Sequence, residues 1–151
     1  PIVKTPHLDA FAKQSLELTN FHVGTTCTPT RAGIMTGRNA NRNNAWHTIA
    51  GCSILLEDEE TIAEVFKKGG YQTSMFGKWH LGDAPSTPEN NGFDVNKGGW
   101  KVGSPRGGYY APWENPKLAS KHDGESLTMR LAQETADFIT ENKDTTFFAF
   151  L

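Results

Sequence analysis

The segment Gly70–Gly82, GYQTSMFGKWHLG, decides how the rest of the chain is read. Tyr71 to Phe76 is a short β-prone run between glycines, which predicts a strand. That strand delivers Gly77, Lys78, Trp79 and His80 at its carboxyl end. Immediately upstream, EETIAEVFKKGG predicts a helix capped by Asp58, with Ile62, Val65 and Phe66 as its apolar stripe. Lysines in its last turn and Gly69 close it. Downstream, ESLTMRLAQETADFITEN predicts a second helix with Leu127, Leu131, Thr135, Phe138 and Ile139 inward. The run Phe147–Leu151 then reads as a strand buried on both faces of a parallel sheet. Helix, strand, long loop, helix and strand in that order predict an α/β domain with at least partly parallel strands. Ligands in such sheets gather at the carboxyl ends of strands, where GKWH falls.

Toward the amino end, Thr5-Pro6 offers a cap and a proline at the first helical position, followed by Leu8, Phe11, Ala12, Ser15 and Leu16 at helical spacing. LELTNFHV alternates Thr19, Phe21 and Val23 on one face and predicts a short strand leading to Cys27. Pro29 suits the first position of a short helix that ends at Gly37. From Asp83 to about Lys121 the chain is rich in Gly, Pro and aromatics without a sustained period; loops this long are functional or disordered. Within it, GGWKVGSPRGGYYAPWENP reads first as a packed loop, and second as an aromatic platform for a sugar ring.

The 151 residues have the length of one domain, with 36% hydrophobic and 21% charged residues. A net charge of −2 argues against a nucleic-acid surface. No apolar run is long enough to span a membrane. Two cysteines are too few for a disulfide scaffold. Cys52 reads as a small buried residue or as a disulfide partner of Cys27. His22, His47 and His122 match no zinc spacing. A chain that begins without methionine and stops inside an apolar strand reads as a fragment of a longer protein.

Two clusters could carry chemistry. In CTPTR, residues 27–31, a group just before a helix amino terminus faces unpaired N–H donors and the positive end of the dipole. Arg31, one turn on, can return its guanidinium toward Cys27, and a thiol so placed is expected to be depressed in pKa and reactive. The plainer alternative is a thiol that fills space at a turn. In FGKWHLG, Lys78 and His80 share one side of an extended segment while Trp79 points to the other. Together they form a cationic patch with one group able to move protons near neutral pH. A loop with a packed tryptophan and a solvated lysine is the alternative there.

Taken together, the clusters resemble the sulfatase family. CTPTRAGIMTGR resembles its first signature, in which a Cys-x-Pro-x-Arg core is read by a modifying enzyme, and GYQTSMFGKWHLG resembles its second. TPHLDAFAKQSLELTNFHV, ENNGFD and the segment from ESLTMRL to FFAFL are similar to family segments of bacterial type, so the resemblance covers nearly the whole chain. It implies an alkaline-phosphatase-like α/β sheet flanked by helices, incomplete here, with residues 1–151 as part of the amino-terminal catalytic domain. It also implies that a formylglycine-generating enzyme converts Cys27 to Cα-formylglycine. One hydroxyl of its hydrate attacks sulfur, a sulfated enzyme intermediate forms, and the second hydroxyl expels sulfate.

By the same resemblance Arg31 holds the hydrate, Lys78 contacts sulfate and hydrate, and His80 is the base for collapse. Ser104 is a candidate contact to the substrate sulfate. Calcium is the implied metal, with position 27 among its ligands and the carboxylate ligands outside these residues. Asp58, Glu59 and Glu60 form an acidic run in the wrong place for them. Arg38 and Arg42 are expected at the solvated surface. Substrates are expected to be aryl or carbohydrate sulfates, location periplasmic or extracellular, and the isolated fragment nearly inactive. A formylglycine-dependent phosphonate monoester or phosphodiester hydrolase and a non-catalytic carbohydrate-binding relative are the competing readings.

Overall fold

The computed structural model describes residues 3–49 and 52–151. Its elements are α1 (Pro6–Ala12), α2 (Cys27–Thr36), α3 (Ile62–Lys68), β1 (Gln72–Phe76), a 3-10 turn (Glu89–Asn91), β2 (Val95–Lys97), α4 (Leu127–Glu141) and β3 (Phe147–Phe150). The three strands form one parallel sheet in the order β2-β1-β3. Ser74 pairs with Val95 on one side, and Gln72 and Met75 pair with Phe147 and Phe150 on the other. The α/β architecture is the one expected.

β1 is central because its side chains suit burial on both faces. Four of its five residues, Thr73 to Phe76, are buried. Successive strand residues point to opposite faces, so Met75 and Phe76 face different layers. Met75 joins Met35, Leu55, Trp79, Leu81 and Phe93 in the main core. On that side Phe148 stacks on Phe66 of α3 at 4.6 Å between ring centroids. On the other side Phe138 of α4 meets Phe76 and Phe147, each at 5.8 Å. The buried hydroxyl of Thr73 donates to the Gly92 carbonyl at 2.6 Å, so the polar residue leaves no orphaned donor. Burying one large apolar side chain stabilises by about 1.5–3 kcal/mol, whereas a surface ion pair such as Lys101–Asp83 contributes about 0–1 kcal/mol. The aromatic layers therefore dominate over the surface charges.

Several local expectations change. α3 is capped by Thr61, three residues after Asp58: its hydroxyl accepts from the Glu64 amide and the Glu64 carboxylate accepts from the Thr61 amide. This reciprocal box satisfies two otherwise unpaired donors at once, which Asp58 does not do. Its inward positions are Ala63 and Phe66, while Ile62 and Val65 are exposed. Arg38 is exposed, as expected, and what changes is Glu59, which is buried and accepts from the Arg38 guanidinium at 2.8 Å. Residues 18–23 are irregular, with Phe21 and Val23 exposed and unpaired with any described strand. Leu8 and Phe11 of α1 are exposed, as is Ile139 of α4. β3 is half-buried because it forms one edge of the sheet. The period-free loop contains β2, a strand too short for alternation to reveal. Both cysteines are free and half-exposed, so Cys52 is neither buried nor bridged.

Gly92, in ENNGFD, lies where no side chain has room. A Cβ there would stand 2.4 Å from the Glu64 amide nitrogen and 2.7 Å from its Cα, and φ is +93°. Gly92→Ala is expected to lower the unfolding free energy of the full-length protein by about 1–3 kcal/mol, read from urea denaturation. An unchanged midpoint would show that this contact does not set how the loop packs on α3.

Candidate active site

The chain leaves β1 through Gly77, whose amide donates to the Lys97 carbonyl at 2.8 Å. Trp79 then plunges into the core, fully buried, and its indole N–H donates to the Ser86 carbonyl at 2.6 Å. That anchor leaves Lys78 and His80 half-buried on either side of it. His80 has φ +56°, a left-handed conformation uncommon outside glycine. Its amide donates to the Trp100 carbonyl at 3.1 Å. The positive φ values at Gly77 and His80 thus break the extended course expected for this segment.

Helix α2 meets this turn with its first residues. The helix begins two residues earlier than Pro29 suggests: Thr26 is the N-cap position, Cys27 the first helical residue and Pro29 the third. Proline is tolerated there because first-turn amides have no intrahelical acceptor. The Cys27 Sγ lies 3.2 Å from His80 Nδ1. Thr28 donates its hydroxyl to the His80 carbonyl at 3.1 Å. Arg31 donates from Nε to the Trp79 carbonyl at 2.6 Å and from Nη2 to the Lys78 carbonyl. Its guanidinium also lies over the Phe150 ring, 5.6 Å from the centroid. Arg31 lies near enough to Cys27 for their charges to interact, and its donors bind the backbone of the second cluster.

Electrostatics follow from this arrangement. Burial draws the Arg31 pKa down, opposed by the nearby Cys27, yet a guanidinium stays charged across the working range. His80 is pulled below the ordinary histidine value by burial first, then by the charges of Lys78 and Arg31. The imidazole is therefore neutral at pH 7 and can accept a proton. Because the folded state binds that proton less tightly than the unfolded chain, His80 contributes stability above its ordinary pKa and loses it as pH falls through the depressed one.

Lys78 and Ser104 line one cavity of about 270 Å³, together with Trp100, Arg106 and Trp113. Among the described residues the Lys78 ammonium has no ion pair or hydrogen bond, which leaves it available to an anion. Two contributors escaped the sequence reading, Thr28 and Gly103, while Trp100 belongs to the stretch read there as an aromatic platform. Gly103 lies flat against the imidazole; a Cβ on it would come within 2.5 Å of His80 Cε1 and 2.8 Å of Nδ1. Glycines in KVGSPRGG are visible in the sequence, but nothing there shows which one backs the histidine. The loop is packed, as expected, around Trp113, whose indole N–H donates to the Leu118 carbonyl at 2.7 Å.

The described residues do not by themselves make a calcium site. Among the described residues no group of three or more His, Cys, Asp or Glu stands close enough to hold a metal ion. The charges beside Cys27 are cationic, and one soft sulfur is not a site for a hard cation that takes six to eight oxygens.

A sequence profile described as Sulfatase matches residues 1–151. The chain belongs to the sulfatase family. Arylsulfatase G of Canis lupus familiaris is 43% identical over 94 residues, covering 60% of this chain and 18% of its own length. N-acetylgalactosamine-6-sulfatase of Homo sapiens is 34% identical over 172 residues, covering 92% of this chain and 32% of its own. Among solved structures, BT4656 in complex with its substrate D-glucosamine-2-N,6-O-disulfate superposes with a TM-score of 0.72 at 26% identity, covering 97% of this chain and 28% of that one. This sulfatase chain thus spans less than a third of the length of these relatives.

Two outcomes test the geometry in the full-length sulfatase. Lys78→Met removes one of the charges that depress His80, so the ring should titrate at higher pH, as read from its NMR shifts. Titration at an unchanged pH would mean that burial and the Arg31 charge set it without Lys78. Gly103→Ala should displace the imidazole, because the added Cβ would stand 2.5 Å from His80 Cε1, and so shift the His80 ring resonances in NMR spectra. Unchanged resonances would show that the ring tolerates the intruding methyl group.

Proposed function

We propose that this chain is the nucleophile-bearing part of a formylglycine-dependent sulfuric ester hydrolase acting on sulfated carbohydrates. The observation that carries the reading is the 3.2 Å approach of Cys27 Sγ to His80 Nδ1, beside a cavity lined by Lys78. Once oxidised and hydrated, position 27 supplies paired hydroxyls, one to attack sulfur and the other to release sulfate without waiting for external water. Neutral His80, protonated on Nε2, accepts a proton at Nδ1 from a hydroxyl at that position. Lys78 balances sulfate charge from the cavity side. Arg31 acts through position: it holds the Lys78–His80 backbone against the first turn of α2, and its fixed charge helps keep His80 neutral.

A formylglycine-generating enzyme would be the modifying partner, and export to the periplasm or the extracellular space is consistent with that maturation. The calcium implied by the family would draw its carboxylates from elsewhere in the protein. Carbohydrate is favoured over a simple aryl substrate because relatives of this chain include an N-acetylgalactosamine-6-sulfatase and a protein solved with a disulfated glucosamine.

Mass spectrometry of the tryptic peptide containing residue 27, after expression of the full-length protein with the modifying enzyme, should find a mass lower than the thiol form. Cys27→Ala should abolish turnover, and Cys27→Ser should give at most a single turnover. An intact thiol in a fully active protein would overturn the mechanism. Parallel assays on sulfate esters and phosphodiesters should favour the sulfate esters; the reverse ranking would transfer the chain to phosphoryl chemistry.

A further inference from the structure

We propose that the cavity between Lys78, Trp100 and Arg106 is the leaving-group subsite, and that it selects a saccharide carrying a second anionic group, carboxylate or sulfate, besides the ester that is cleaved. The inference rests on the hydrolase reading above and names its substrate class. Three observations carry it. Gly103 lines the cavity and also backs the His80 ring, so the cavity begins at the wall of the reactive cluster. Its volume of about 270 Å³ lies near the small end for ligand pockets, a space for one ring and its substituents. Arg106 lies over the Trp100 ring, 5.5 Å from the centroid, and among the described residues its guanidinium makes no ion pair or side-chain hydrogen bond.

A guanidinium held against an indole has lost part of its freedom before any ligand arrives. Its planar fork matches carboxylate and sulfate oxygens in pairs, a geometry that an ammonium cannot copy. Glu114 is the one carboxylate lining this cavity. It faces Arg106 through a backbone bridge, its amide donating to the Arg106 carbonyl at 2.8 Å. Lys78 and Arg106 together outweigh that single negative charge, so the wall favours an anion. The sulfate being cleaved engages Lys78 and position 27, which leaves Arg106 for another anionic group on the same molecule.

The test uses the full-length enzyme with position 27 modified and two sugar sulfates that differ only in a second anionic group. Wild type should prefer the doubly charged substrate in kcat/KM. Arg106→Gln should reduce that preference about 10- to 100-fold, as expected for a lost charge-assisted hydrogen bond. Trp100→Ala should reduce it less, in the same direction, because the fork is no longer held. Equal use of both substrates by wild type, or an unaltered preference in Arg106→Gln, overturns the proposal. If the enzyme hydrolyses no sulfate ester at all, the functional reading fails separately. Calorimetry with the desulfated anionic sugar then decides the subsite: tighter binding to wild type than to Arg106→Gln supports it, and equal binding overturns it.

Discussion

Three consecutive carbonyls, those of Lys78, Trp79 and His80, all accept hydrogen bonds from α2. Thr28 binds the last and Arg31 the first two. Carbonyls just beyond a strand end have no ladder partner, and partly buried ones must be satisfied locally or at a cost of about 1–3 kcal/mol each. Satisfying them from α2 joins two segments about fifty residues apart in sequence and sets Cys27 against His80. Arg31 is suited to this because its planar donors can bind two carbonyls at once and keep their charge when buried.

That union also explains the shape of the surrounding core. Trp79 lies between the two functional side chains and is fully buried. Its indole fills space among Leu55, Leu81 and Phe93 and finds its acceptor at Ser86. The tryptophan fixes the level at which the chain leaves the sheet, and the left-handed turn at His80 then aims the imidazole toward α2. Gly103 completes the arrangement from the other side by contributing no side chain. The site is held by packing and backbone hydrogen bonds, while most ion pairs lie at the surface, where solvent weakens them.

Burial and cationic neighbours act on His80 in the same direction, and both follow from this geometry. A histidine kept neutral near pH 7 suits a proton acceptor, and the charges that keep it so also suit an anionic substrate. Arg31 and Lys78 each serve both needs. The long loop from Asp83 to Lys121 extends the same logic outward, carrying Trp100 and Arg106 to the cavity rim while Trp113 and Leu118 pin it beneath α4.

Residue order alone determined the parallel α/β class, a strand within Tyr71–Phe76, a helix within Glu125–Asn142 and the two clusters that carry Cys27, Arg31, Lys78 and His80. Those features are written in local periodicity, turn residues and motifs, which need no distant partner to be read. Only the tertiary structure decided that Arg31 grips the Lys78–Trp79 backbone beside Cys27, that Thr61 and not Asp58 caps α3, and that residues 18–23 form no strand. It alone selected Thr28 and Gly103 from many equivalent threonines and glycines. The physical reason is that hydrogen-bond satisfaction and close packing are settled between segments remote in sequence, and local pattern carries no record of which groups will meet.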